Sequence, residues 1–267
     1  MIGKLLQYIE ENDLDSSVES IHQHILPFFS HLQQQYLSAS TYHTLFRGLR
    51  AFTRFLHHEG YVKAEIRLPK VKKPHTTIAP LNPSQKKSIL HSFDTKTYLG
   101  IRNYTIIRLF LDTGMRLSEL SQLQPTDVNL EEGFVLVHGK GAKDRYVPIG
   151  RSTIKCLWNY IKKRAEIDVN TNSYLFLTRR GTRLSARGVQ IVFRSLKKKL
   201  NLDGRKLSPH LLRHSFALAY IENGGDPFSL QRILGHTDQT TTSKYVNMAR
   251  SNVKAQHSKY SPGERLG

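Results

Sequence analysis

Helical apolar periodicity runs through the N-terminal part of this chain and then stops at Leu68-Pro69-Lys70-Val71-Lys72-Lys73-Pro74-His75, where two prolines bracket lysines. Proline has no backbone N–H and pushes the residue before it out of the helical region, so no helix or central strand is expected to cross this stretch. The chain is therefore expected to fold as two units: a helical domain over residues 1–70, a linker over 71–82 and a second domain over 83–267.

Ahead of the break, Leu45, Leu49, Phe52 and Leu56 recur at helical spacing, while Arg47, Arg50, Arg54 and His58 form a neighbouring stripe. One face packs and the other is cationic. Ile21, Ile25, Phe29 and Leu32 repeat the apolar pattern upstream, and Ser38 or Ser40 is suited to cap the helix that follows. Beyond the break, Pro83 opens a helix, residues 104–111 form a strongly apolar one, and Thr113-Gly114 reads as its stop. Phe134-Val135-Leu136-Val137-His138 and Arg145-Tyr146-Val147-Pro148-Ile149 are β-rich runs joined through glycines, which predicts a hairpin in a small sheet. Residues 151–166, 184–200 and 209–222 return to helix, and no internal repeat is evident. The fold class expected is mainly α with a small β-sheet (α+β).

Charge narrows the function. Across 267 residues, 40 Lys+Arg stand against 21 Asp+Glu, a formal net charge of +19 with 13 histidines counted neutral. Such an excess points to a polyanion, because phosphate neutralisation with counterion release drives most nucleic-acid affinity. A hydrophobic share of 39% argues against disorder, and the absence of a long uninterrupted apolar run argues against a membrane-embedded protein. The single cysteine, Cys156, excludes an internal disulfide and a multi-cysteine zinc site. Met1-Ile2-Gly3-Lys4-Leu5-Leu6 runs into acidic, amphipathic sequence without the apolar core of a secretory signal, so a cytoplasmic protein is expected.

The candidate chemistry lies in scattered short motifs. In Ser208-Pro209-His210-Leu211-Leu212-Arg213-His214, Ser208 suits the N-cap and Pro209 the first helical position. His210 and Arg213 are then three residues apart, near the N–H groups and dipole of a helix start that favours anions. The remainder of that helix is apolar nearly all round, so Arg213 is expected to be buried and to need a counter-charge. An anion site and a structural Arg–carboxylate pair both remain open. Arg116 follows a glycine break between two apolar segments, with Glu119 three residues on; the pair is either a local salt bridge or a carboxylate orienting a functional guanidinium. Gly139-Lys140-Gly141-Ala142-Lys143 sets Lys140 at the hairpin turn but lacks the spacing and the Ser/Thr of a Walker A loop. Leu234-Gly235-His236 and Ser243-Lys244-Tyr245-Val246 complete the set, though a helical tyrosine is more often a packing residue than a nucleophile.

Taken in order, Arg116, Lys140, His210-x-x-Arg213, Gly235-His236 and Tyr245 resemble the tyrosine recombinase (phage integrase) family, in its compact Xer-like form. The resemblance runs from the N-terminal helices to Tyr245 and leaves no core position unfilled. It implies a helical core-binding domain and a catalytic domain that clamp a DNA duplex as a C shape. It implies Tyr245 as nucleophile, Arg116 and Arg213 on the non-bridging phosphate oxygens, His210 and His236 as hydrogen-bond donors, Lys140 as general acid and Glu119 as support for Arg116. The expected activity is site-specific recombination of double-stranded DNA through a 3′-phosphotyrosyl intermediate and a Holliday junction, in integration, excision, resolution or transposition. No metal, ATP or other cofactor is implied. The partners implied are two DNA sites held by a homotetramer, with or without accessory proteins, in a cytoplasmic, nucleoid-associated setting. Arg47, Arg50, Arg54 and Lys143 are the candidate DNA-backbone contacts. A metal-dependent nuclease built on His210, His214 and His236, and a non-catalytic DNA-binding protein, are the rival readings. Residues 249–267 are expected either to be a disordered tail or to dock on another protomer.

Overall fold

A computed structural model describes residues 1–17, 20–35, 38–64, 66–69, 79–139, 144–167, 173–200, 207–235 and 245, without the side chains of residues 39 and 40. The chain divides into two compact units, Met1–Thr77 and Ile78–Gly267. Residues 70–75 of the proline-bracketed break, with 76–78 after it, lie outside the described residues. Leu81 and Asn82, which the sequence assigns to the linker, belong to the second unit. Leu81 is an apolar side chain with a core to enter: it is buried, its backbone N–H donates to Ser215 Oγ at 2.8 Å, and the Asn82 side chain caps the helix that follows.

The first unit comprises α1 (Ile2–Glu11), a 3₁₀ turn (Ile21–His24), α2 (Ile25–Gln34) and α3 (Ala39–His58). Pro27 sits in the first turn of α2, where its missing N–H costs no intrahelical bond. Of the two candidate caps of α3, Ser38 fills the role by accepting from the Thr41 backbone N–H at 3.2 Å. Ile21, Ile25, Phe29 and Leu32 join Leu45, Leu49 and Leu56 in one core. Arg47, Arg50 and Arg54 all lie exposed on the opposite side of α3.

The second unit is organised around α5 (Tyr98–Thr113), which packs against α7 (Arg151–Ala165) and α9 (Pro209–Glu222). Between these two flanking helices Ile106, Ile107, Leu109 and Phe110 of α5 are fully buried. Ahead of it lies α4 (Pro83–His91), and after it α6 (Leu117–Gln122), which packs on α8 (Ala186–Leu200). The predicted hairpin is present as β2 (Phe134–Val137) and β3 (Arg145–Pro148), antiparallel with Val135 opposite Val147 and Val137 opposite Arg145. A two-residue strand, β1 (Val128–Asn129), extends the sheet in the order β1-β2-β3 and was not evident from the sequence. Last, α10 (Pro227–Leu234) starts at an Asp226 cap that accepts from the Ser229 N–H at 2.7 Å. Among the described residues no helix is long and apolar enough to cross a membrane.

Candidate active site

Two glycines end two helices at one place. α5 stops at Gly114 (φ 60°) and α10 at Gly235 (φ 62°), both left-handed, which lets each helix terminate abruptly with its last carbonyls uncovered. A Cβ at residue 114 would lie 2.5 Å from Phe216 Cδ1 and 2.7 Å from Leu234 Cδ2, so only glycine allows this approach of α5 to α9 and α10.

Those uncovered carbonyls receive three arginines. Arg213 donates to Gly114 O at 2.7 Å and to Leu234 O at 2.8 Å. Arg116 donates to Gly235 O at 3.0 Å, and Arg145 donates through Nε to Ile233 O at 2.7 Å. The negative ends of helix dipoles suit cations. For Arg213 this corrects an expectation: among the described residues two helix C-termini, not a carboxylate, take its N–H groups. Burial first, and then the neighbouring Arg116, push its pKa down to about 10, which still leaves it charged at neutral pH.

One carboxylate ties the other two arginines together. Glu119 Oε1 accepts from Arg116 Nη1 at 2.8 Å and from Arg145 Nη1 at 2.9 Å. Its Oε2 accepts from the Arg116 backbone N–H at 2.6 Å and from Arg145 Nη2 at 2.9 Å. Burial would push this carboxyl up, but the contacts from Arg145 foremost, then from Arg116, hold it below the usual carboxylate range. The Arg116–Glu119 pair is thus a local salt bridge, with Glu119 also bound by Arg145. Arg145 is the residue that sequence reasoning missed. Its signal was present: strand alternation puts Arg145 on the face of buried Val147, and an inward arginine needs an acceptor.

Tyr245 lies near Arg213, half-buried against the apolar cluster of Ala217, Leu218, Ile221, Leu230 and Leu234 where α9 meets α10. Its ring is 5.4 Å from that of His214, tilted by 43°. Burial raises its pKa, and the positive charge of Arg213 acts in the opposite direction. His210 is exposed at the start of α9, while Arg213, three residues on, is buried. It borders a recess of about 310 Å³ with Leu117, Arg194, Lys197 and Ser208. The Ser208 cap itself is as expected, accepting from the Leu211 N–H at 3.2 Å. Lys140, Lys143 and His236, and with them the third histidine of the nuclease reading, lie outside the described residues, as does the segment 249–267. The stem of the Lys140 turn is described: His138 bridges Asp144 at 2.8 Å and Asp127 at 3.2 Å, and these hydrogen bonds, Asp144 first, raise its pKa.

The chain as a whole matches a known family. Residues 80–252 fit the model of the phage integrase family. The chain belongs to the phage integrase family. It is 31% identical over 270 residues to the tyrosine recombinase XerC of Bacillus pumilus, covering 98% of this chain and 88% of that one. It is 32% identical over 268 residues to the tyrosine recombinase XerD of Staphylococcus epidermidis, covering 98% and 90%. Among solved structures, the integrase of transposon Tn1549 in complex with transposon right end DNA superposes with a TM-score of 0.74 at 23% identity, covering 95% of this chain and 92% of that one. The XerA recombinase superposes with a TM-score of 0.60 at 24% identity, covering 97% and 98%. As a tyrosine recombinase, this integrase-family chain is an enzyme of DNA cleavage and rejoining in site-specific recombination.

Proposed function

We propose that Tyr245 is the nucleophile and that the arginine cluster at the end of α10 is the seat of the scissile phosphate. The observation that carries this reading is the excess of cation over anion among the described residues at one place: Arg116 and Arg145 share one carboxylate, Glu119, and Arg213 sits beside them on two carbonyls, next to the only half-covered Tyr245. The Arg116 side chain is 41% exposed, so it keeps N–H groups for a ligand after serving Glu119 and Gly235. A phosphodiester supplies the anion such a site lacks.

Attack by the Tyr245 hydroxyl on phosphorus, with loss of its proton, breaks the bond to the 5′ oxygen and leaves a 3′-phosphotyrosyl link. Charge that builds on the non-bridging oxygens is met by guanidinium groups already oriented by helix ends and Glu119, so little reorganisation is needed at the moment of reaction. Because burial lifts the pKa of Tyr245, the tyrosine is neutral until substrate arrives and must be deprotonated in the reaction itself. Lys140 protonates the departing 5′ oxygen, and His210 and His236 donate to the phosphate. A second 5′-hydroxyl reverses the step, since the phosphotyrosyl bond retains the energy of the bond it replaced. Arg47, Arg50, Arg54 and Lys143 hold the backbone of double-stranded DNA, with residues 1–70 as the core-binding domain and 83–267 as the catalytic one. Exchange is carried out by four protomers on two DNA sites, in the cytoplasm with the nucleoid.

The test is capture of the protein on sheared genomic DNA under denaturing conditions, followed by sequencing of the covalently retained fragments. A recurrent short site with a protein-linked 3′ end is the expected result. Random fragments, or none, would contradict the reading.

A further inference from the structure

We propose that Arg145 is a positioning residue for strand cleavage: by clamping Glu119 and the C-terminal end of α10 to the hairpin, it fixes the orientation in which Arg116 meets the phosphate. The proposal rests on the reading of Arg116 as a phosphate ligand. Arg145 itself does not face substrate, since its side chain is only 12% exposed. Three of its N–H groups are spent on three acceptors from two other elements: both oxygens of Glu119 on α6 and the carbonyl of Ile233 on α10.

Glu119 cannot hold Arg116 alone. A carboxylate on a helical turn swings about its side-chain bonds, and here each oxygen is pinned by a second donor, in both cases from Arg145. The same guanidinium lies where a Cβ on residue 235 would come within 3.1 Å of it, so the end of α10 closes directly on Arg145. Gly235 O is the second acceptor of Arg116. Arg145 therefore holds one support of Arg116, Glu119, directly and braces the other, the end of α10, through Ile233 O. It is also the first residue of β3, so the strand that leaves the Lys140 turn begins at this clamp.

Planarity decides why arginine stands here. A lysine at residue 145 keeps the charge, yet as one point donor it cannot span both carboxylate oxygens and reach Ile233 O in the same plane. A role in bulk electrostatics survives Arg145→Lys; a role in orientation does not.

The experiment is single-turnover formation of the covalent adduct on a nicked duplex carrying the site recovered by genomic capture, with Kd measured on the same duplex. Wild type, Tyr245→Phe, Arg145→Lys, Arg145→Gln, Glu119→Gln and the double variant Arg145→Lys/Glu119→Gln are compared. Arg145→Lys and Arg145→Gln are expected to lose adduct formation by about 10²-fold with Kd changed by less than about threefold, since a misaimed donor costs the transition state more than the ground state. The double variant should be no slower than the slower single one, because both act through one unit. With Arg145 gone, burial of Glu119 is opposed by fewer contacts, so the acid limb of the cleavage rate should move to higher pH. Cleavage by Arg145→Lys within threefold of wild type, multiplicative losses in the double variant, or thermal unfolding of both Arg145 variants below the assay temperature would each overturn the proposal, the last by assigning Arg145 to the fold. An adduct formed by Tyr245→Phe, or none formed by wild type, would overturn the underlying site reading and this proposal with it.

Discussion

At the scale of single residues, the site is a problem of crowded positive charge. Three guanidiniums are held together by one carboxylate and the carbonyls of Ile233, Leu234, Gly235 and Gly114. Lys140 is the residue whose role separates chemistry from binding. If it protonates the leaving oxygen, Lys140→Ala should cleave about 10²-fold more slowly on ordinary DNA. It should recover on a duplex with sulfur in place of the bridging 5′ oxygen, whose departure needs no proton, whereas Arg213→Ala should stay defective on both. Equal defects of Lys140→Ala on the two substrates would remove it from the acid role. Arg116, Glu119, Arg213 and Tyr245, which the structure brings to one place, were singled out in the sequence by residue type and order. The partners of Arg213 were not, since carbonyl groups belong to every residue and only the fold says whose are exposed. Strand alternation pointed Arg145 inward, but its partner was not legible because that carboxylate lies 26 residues away.

At the scale of elements, helix ends do the positioning. Ser38, Ser208 and Pro209 announce helix starts in the sequence, and Gly114 announces a stop, because capping is local chemistry. The Asp226-Pro227 start of α10 carries the same signature and was passed over, since eight residues give too little apolar periodicity to mark a helix. Strand β1 is two residues long and is defined only by its pairing with β2. Gly114 offers the element-scale prediction. A Cβ costs roughly 1–2 kcal/mol in the left-handed conformation, and overpacking against Phe216 and Leu234 adds roughly 1–3 kcal/mol. Gly114→Ala should therefore lower unfolding stability by about 3 kcal/mol in urea titration, with loss of less than about 1 kcal/mol contradicting the packing account.

At the scale of the whole molecule, the net charge of +19 and the division into two units were both visible in the sequence, the first by counting and the second from the proline-bracketed lysines near residue 70. Exposed Arg47, Arg50 and Arg54 on α3 should act as phosphate contacts without base preference. Replacing any one by Ala should reduce the slope of log K against log salt by about 0.9 on specific and unrelated duplexes alike; an unchanged slope would assign that arginine to solvent. What the intact chain does to DNA is tested most directly by mapping the covalent bond. Wild-type protein trapped on its site, digested with nuclease and protease, should yield a nucleotide-modified peptide with the modification on Tyr245, and Tyr245→Phe should bind the same duplex with little change in Kd yet yield no modified peptide. Modification at Tyr220 or Tyr260, or an adduct that survives Tyr245→Phe, would contradict the account.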